Sequence, residues 1–105
     1  MQINTPLQET VDIAQKAGQI ISSRWETARD IKKKGRIDLV TDTDLAVEAY
    51  LKKALADLMP NADFLAEESA SSLEIGGNKT WIIDPLDGTT NFAHHIPMVA
   101  VSIAL

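Results

Sequence analysis

Trp81-Ile82-Ile83-Asp84-Pro85-Leu86-Asp87-Gly88-Thr89-Thr90-Asn91-Phe92 is the stretch that decides the fold. Trp81, Ile82 and Ile83 are aromatic or β-branched and read as a buried strand. Two carboxylates follow, on either side of Pro85 and Leu86, with Gly88 and two threonines directly after them. Pro85 fixes its own φ and biases Asp84 toward extended backbone, so the first carboxylate is expected at a strand end and the second beyond a turn. Gly88 lets the backbone approach a ligand closely. Thr89, Thr90 and Asn91 are expected to cap a helix starting there, its free N–H groups facing an anion. Mg²⁺ is usually held by one or two carboxylates together with phosphate oxygens and water. A cation and a phosphate would then share one corner. Asp, Pro and Gly also build plain surface turns, but the strand before this one and the hydroxyls after it favour chemistry.

Composition narrows the choice. The chain has 105 residues, 45% of them hydrophobic, enough for one domain or part of one. A net charge of −5 gives no overall footprint for nucleic acid or an anionic membrane, so an acidic chain handling phosphate needs a cation between them. The absence of cysteine excludes disulfides, thiolate metal sites and a cysteine nucleophile. The first ten residues are polar, without a basic region leading into an apolar run, and no run reaches membrane-span length. A cytoplasmic, soluble protein is the expectation.

Working outward from the acidic turn, Leu7, Val11, Ala14, Gly18, Ile21 and Trp25 alternate steps of four and three, which predicts a helix with that stripe facing the core. Lys32 to Arg36 reads as a solvated basic loop. Asp38-Leu39-Val40 is a short extended segment, and Thr41 to Asp44 offers N-cap candidates for a helix to about Leu58, its buried face marked by Val47, Leu51, Ala54, Leu55 and Leu58. Asp63 to Ala66 reads as a strand delivering Glu67-Glu68-Ser69 at its end, where adjacent acids invite a cation. Gly76-Gly77-Asn78 turns into the strand beginning at Thr80. Met98 to Leu105 is almost wholly apolar and resembles the start of a buried strand, one that needs cover on both faces beyond what two helices supply.

Three ordered motifs now stand together: Asp38 to Asp44, Phe64 to Ser69, and Trp81 to Phe92 followed by His94, His95, Pro97 and the apolar strand. In this order and spacing the chain resembles the inositol monophosphatase family of magnesium-dependent, lithium-sensitive phosphatases. The resemblance implies an α/β fold, a layered sandwich with mixed sheets. It also implies Glu67, Asp84, the Leu86 carbonyl and Asp87 as Mg²⁺ ligands, with Asp84 bridging two ions. Asp87, Gly88 and Thr89 would meet the phosphate of a small phosphomonoester, beside Leu86 and Glu67. Thr89 bonded to Asp44 resembles the pair that orients and activates the attacking water, while Glu67 holds water in the metal shell. Asp38 and Lys33 resemble supporting residues, and His94 and His95 read as capping or packing residues rather than a catalytic base.

Family members run on well beyond this length and place a further metal-binding aspartate in a Trp-Asp motif of their second half. The resemblance therefore implies that residues 1–105 are the N-terminal portion of one such domain, without its C-terminal half, and that the isolated chain is impaired as an inositol 1-phosphate hydrolase. Full-length relatives are commonly homodimers, so a homodimer is expected of the full-length protein, with neither nucleic acid nor membrane as a direct partner. Two alternatives carry different chemistry: a non-catalytic metal-binding module contacting transcription machinery, and a 3′,5′-bisphosphate nucleotidase.

Overall fold

The computed structural model describes residues 5–26, 31–34, 38–66 and 79–105. Helix α1 (Pro6–Ser23) opens on a capping box: the Gln8 N–H donates to the Thr5 hydroxyl at 3.2 Å, and the Thr5 N–H donates to the Gln8 side chain at 3.0 Å. Pro6 occupies the first turn, where its missing N–H has no intrahelical partner to lose. Strands β1 (Ile31–Lys34) and β2 (Asp38–Thr41) pair antiparallel, Ile31 opposite Thr41 and Lys34 opposite Asp38. Lys32, Lys33 and Lys34 therefore lie on a strand and not in the expected loop, because the extended 38–41 segment supplies a backbone partner.

Helix α2 (Asp42–Leu58) follows β2 without a gap. Strand β3 (Asp63–Ala66), strand β4 (Thr80–Asp87), the short helix α3 (Thr89–Ala93) and strand β5 (Ala100–Ala104) complete the order. In the mixed sheet β3-β4-β5, β3 runs parallel to β4 and β5 antiparallel to it. Helices α1 and α2 pack on each other, α2 on β4 and α1 on β5, which gives an α/β layered arrangement as expected. Among the described residues no helix is long and apolar enough to cross a membrane.

The core gathers Ala17 and Ile21 from α1, Val47, Leu51 and Leu55 from α2, Trp81, Ile83 and Leu86 from β4, and Phe92 from α3. Ala54 and Leu58 sit at its edge, half-buried. The α1 stripe departs from expectation. Ala17 and Ile21 are buried, with Ile13 and Ile20 packed against the core, while Leu7 is 73% and Val11 46% exposed. Ile13, Ala17 and Ile20 are the α1 residues that join the core, whereas Val11, Ala14 and Gly18 line an open groove of about 460 Å³ against Val99 to Val101. A 3.6-residue period identifies a helix and an apolar face, but neighbours decide which edge of that face closes.

Strand β5 is incompletely sheltered, as its apolar sequence led one to expect. Val101 and Ile103 are half-buried against the helices, while Ala100, Ser102 and Ala104 are exposed. Among the described residues, α1 packs on β5 and α2 on β4.

Candidate metal and phosphate site

The site is built at the end of β4. Pairing advances three residues along β4, from Asp84 to Asp87, while it advances two along β5, from Ser102 to Ala100. One extra residue on β4 is a β-bulge, and Pro85, which has no N–H for a ladder, lies within it. The bulge changes which way the carboxylates face. In a regular strand, residues three apart point to opposite sides. Here Ile83, Pro85 and Leu86 are all buried, and Asp84 and Asp87 fall in the more exposed phase shared with Ile82. The expected turn between the acids is thus an irregular step within a continuous strand, and it returns both carboxylates to one face.

Gly88 follows with φ 97°, a left-handed conformation that disfavours any side chain. A Cβ added there would lie 2.6 Å from the Met98 carbonyl oxygen, so the backbone at Gly88 presses directly on the lead-in to β5. Gly88 itself is the N-cap of α3, which has no side-chain cap bond, so the threonines do not cap the helix as expected. Asn91 ties the corner down, its side-chain amide donating to the Met98 carbonyl at 3.0 Å and its carbonyl accepting from the Ile96 N–H at 2.8 Å.

Freed from capping, the Thr89 hydroxyl donates to Asp44 Oδ1 at 2.7 Å, 45 residues away in sequence, and lies 3.1 Å from the Leu86 carbonyl oxygen. Packing of α3 against β2 makes this possible, because β2 leads straight into the first turn of α2. Asp44 is fully buried. Its other oxygen, Oδ2, accepts the Thr41 N–H at 3.2 Å and the Thr41 hydroxyl, while the Asp44 N–H donates back to Thr41 Oγ1 at 3.2 Å. The carboxylate is held on both oxygens. Asp42, by contrast, is exposed and faces Arg24 at 3.8 Å.

Of the residues expected at the site, Asp44, Asp84, Leu86, Asp87, Gly88 and Thr89 are brought to this one corner. Glu67, with Glu68 and Ser69, lies outside the described residues. Lys33 and Asp38 are on the β1–β2 hairpin, Lys33 opposite Leu39. The histidines pack and cap: His94 closes α3, its N–H donating to the Thr90 carbonyl at 3.1 Å, and the His95 ring meets Trp25 edge-on at 6.2 Å between centroids. Trp25 in turn meets the core residue Phe92 at 5.5 Å. Thr41 is the residue that the motif spacing did not single out for the site. Its signal was present as Thr-x-x-Asp ahead of an apolar helix, the pattern of a capping box.

Asp84, with Oδ1 buried, the more exposed Asp87 and the Leu86 carbonyl present only hard oxygen donors. That donor set fits Mg²⁺, which takes one or two carboxylates and completes its octahedron with water and phosphate. A carbonyl oxygen has two lone pairs, so the Leu86 oxygen can accept the Thr89 hydroxyl and still face a cation. Among the described residues no three His, Cys, Asp or Glu side chains cluster, so any third carboxylate comes from elsewhere.

A model of the inositol monophosphatase family matches residues 4–105. The chain belongs to that family. An inositol monophosphatase from Dictyostelium discoideum is 45% identical over 102 residues, covering 94% of this chain and 38% of the relative. Among solved structures, the extragenic suppressor protein suhB of Bartonella henselae superposes with a TM-score of 0.83 at 37% identity, covering 93% of this chain and 39% of that one. An IMPase/NADP phosphatase complexed with Mg²⁺ and phosphate superposes with a TM-score of 0.78 at 27% identity, over 96% of this chain and 40% of that one. The chain thus spans about two fifths of the length of the relatives it matches.

Proposed function

We propose that this chain carries the first part of a Mg²⁺-dependent phosphomonoesterase site, which hydrolyses inositol 1-phosphate-type substrates to inositol and phosphate. The observation behind this is the Thr89 hydroxyl bonded at 2.7 Å to the buried Asp44, directly beside the bulge that turns Asp84 and Asp87 to one face. Family membership and the Mg²⁺ and phosphate in a similar solved structure support it.

In this proposal Asp84, Asp87 and the Leu86 carbonyl hold Mg²⁺, joined by Glu67, which follows Ala66 at the end of β3. Ala66, the last residue of β3, pairs with Ile83, one residue before Asp84. Bound Mg²⁺ would screen phosphate charge, acidify a water and stabilise the leaving alkoxide. The chain's own groups do the rest. With its hydrogen given to Asp44, Thr89 Oγ1 presents lone pairs that orient a water for in-line attack. Glu67 holds water beside it. Asp87, Gly88 and Thr89 receive the phosphate, where the left-handed Gly88 leaves the approach free of a side chain.

Turnover further requires the donors that relatives carry in their remaining length, so the 105 residues alone are expected to be impaired. The whole enzyme is proposed as a cytoplasmic homodimer inhibited by Li⁺. Phosphate release from inositol 1-phosphate, with Mg²⁺ and with added Li⁺, tests this on the chain alone and on a version extended by the region its relatives carry. Li⁺-sensitive release from the extended version only is expected. Equal release from both would refute the impairment, and none from either would refute the phosphatase assignment. Running 3′-phosphoadenosine 5′-phosphate alongside separates inositol phosphates from nucleotides.

A further inference from the structure

Asp44 occupies an unusual position for an acid at the third residue of a helix. Such a residue commonly closes a capping box, returning one oxygen to the N-cap N–H. Here the box is closed by Oδ2 alone, which takes both the N–H and the hydroxyl of Thr41, and Oδ1 is left for Thr89 on a different element. Both Thr41 and Asp44 are buried, at 1% and 0% exposure, so water does not compete for these oxygens. A carboxylate held at one end can still rotate. Two donors on one oxygen remove that freedom and leave the second oxygen with a fixed direction.

From this geometry we infer that Thr41 is a positioning residue for the Thr89–Asp44 pair, acting through Asp44. This rests on the proposed role of that pair in orienting water. The Thr41 hydroxyl acts in two senses at once: it accepts the Asp44 N–H, which caps α2, and it donates to Asp44 Oδ2, which aims Oδ1 at Thr89. Only the second action matters to the site. The residue required is therefore one with a hydroxyl, and cap quality alone is insufficient. Asn, Asp and Gly are all competent N-caps, but none supplies a hydroxyl donor to Oδ2.

The test is solvent exchange of the Thr89 hydroxyl proton, followed by NMR on the metal-free chain. Wild type and Thr41→Ser should both show a protected proton. Thr41→Val keeps the branched shape and removes the hydroxyl, and should speed exchange by at least about tenfold, the effect of roughly 1.4 kcal/mol in hydrogen-bond strength. Protection unchanged in Thr41→Val, or lost in Thr41→Ser, would overturn the inference.

Should Thr41→Val fail to fold, wild type decides through the Thr41 hydroxyl proton itself. It should exchange more slowly than that of Thr10, whose hydroxyl bonds the Pro6 carbonyl on the exposed face of α1. Equal rates would overturn the inference. Mn²⁺ broadening of the Gly88 amide is recorded in parallel and should be the same in wild type and Thr41→Val. Its absence from wild type would overturn the metal site while the hydroxyl exchange still decides the role of Thr41.

Discussion

Replacing Thr89 by Val should destabilise the chain by about 2 kcal/mol, and the structure allows that figure to be worked out. Val preserves the branched shape, so packing changes little. What is lost is a 2.7 Å hydrogen bond to a carboxylate that is entirely buried. Bonds to charged groups contribute about 1.5–3 kcal/mol, and a buried acceptor left without its donor pays the full desolvation penalty. The 3.1 Å approach to the Leu86 carbonyl adds little, since one hydroxyl hydrogen serves both acceptors and the shorter partner takes most of it. For a domain of this size about 2 kcal/mol lowers Tm by roughly 8–16 °C. Urea unfolding of the metal-free chain, followed by Trp25 and Trp81 fluorescence, measures it directly. Thr89→Ser keeps the hydroxyl and should recover all but about 0.5 kcal/mol. A loss below about 0.5 kcal/mol for Thr89→Val, or an equal loss for Thr89→Ser, would show that Asp44 does not depend on this hydroxyl.

Three other substitutions probe neighbouring parts of the corner and the core. Gly88→Ala meets both a left-handed backbone, at about 1–2 kcal/mol, and a backbone carbonyl 2.6 Å from the new Cβ, so a total loss above about 2 kcal/mol is expected on urea unfolding; a neutral result would mean the corner opens freely. Asp87→Asn is on an exposed side chain and should leave stability within about 0.5 kcal/mol while weakening Mn²⁺ binding at least about tenfold by calorimetric titration, so unchanged affinity would remove Asp87 from the metal site. Leu51→Ala, at a fully buried position of α2 in the core, should cost about 2–5 kcal/mol, and a smaller loss would mean the space it leaves collapses.

Much of the local structure was legible because its causes are local. Pro85 keeps Asp84 extended and Gly88 takes the left-handed backbone, although the step between the acids stays within β4 where a turn was expected. The α2 stripe and the short β3 segment were equally plain, since their apolar spacing and flanking turn residues need no distant partner. The errors fell where a distant partner decides. The basic Lys32 to Lys34 run became a strand because the 38–41 segment pairs with it. Leu7 and Val11 stayed outside the core, which Ile13, Ala17, Ile20 and Ile21 of α1 join instead. The threonines were expected to cap α3, but Gly88 takes that place, and the Thr89 hydroxyl is left for Asp44, the partner that the resemblance implies.

By itself, then, the sequence determined the donor chemistry: oxygen ligands only, two carboxylates bracketing a proline, a glycine where a phosphate would approach, and an order of motifs that resembles one phosphatase family. It also named Asp44 as the partner of Thr89, through that resemblance. Tertiary structure alone decided how these groups are aimed. The bulge against β5 returns Asp84 and Asp87 to one face, which needs a neighbouring strand to define the phase. The docking of α3 on β2 assigns Asp44 Oδ1 to Thr89 and leaves Oδ2 to Thr41. Two hydrogen-bonding partners 45 positions apart in sequence can be brought close in many ways, and only the packed core selects the one in which each oxygen of a buried carboxylate has its own donor.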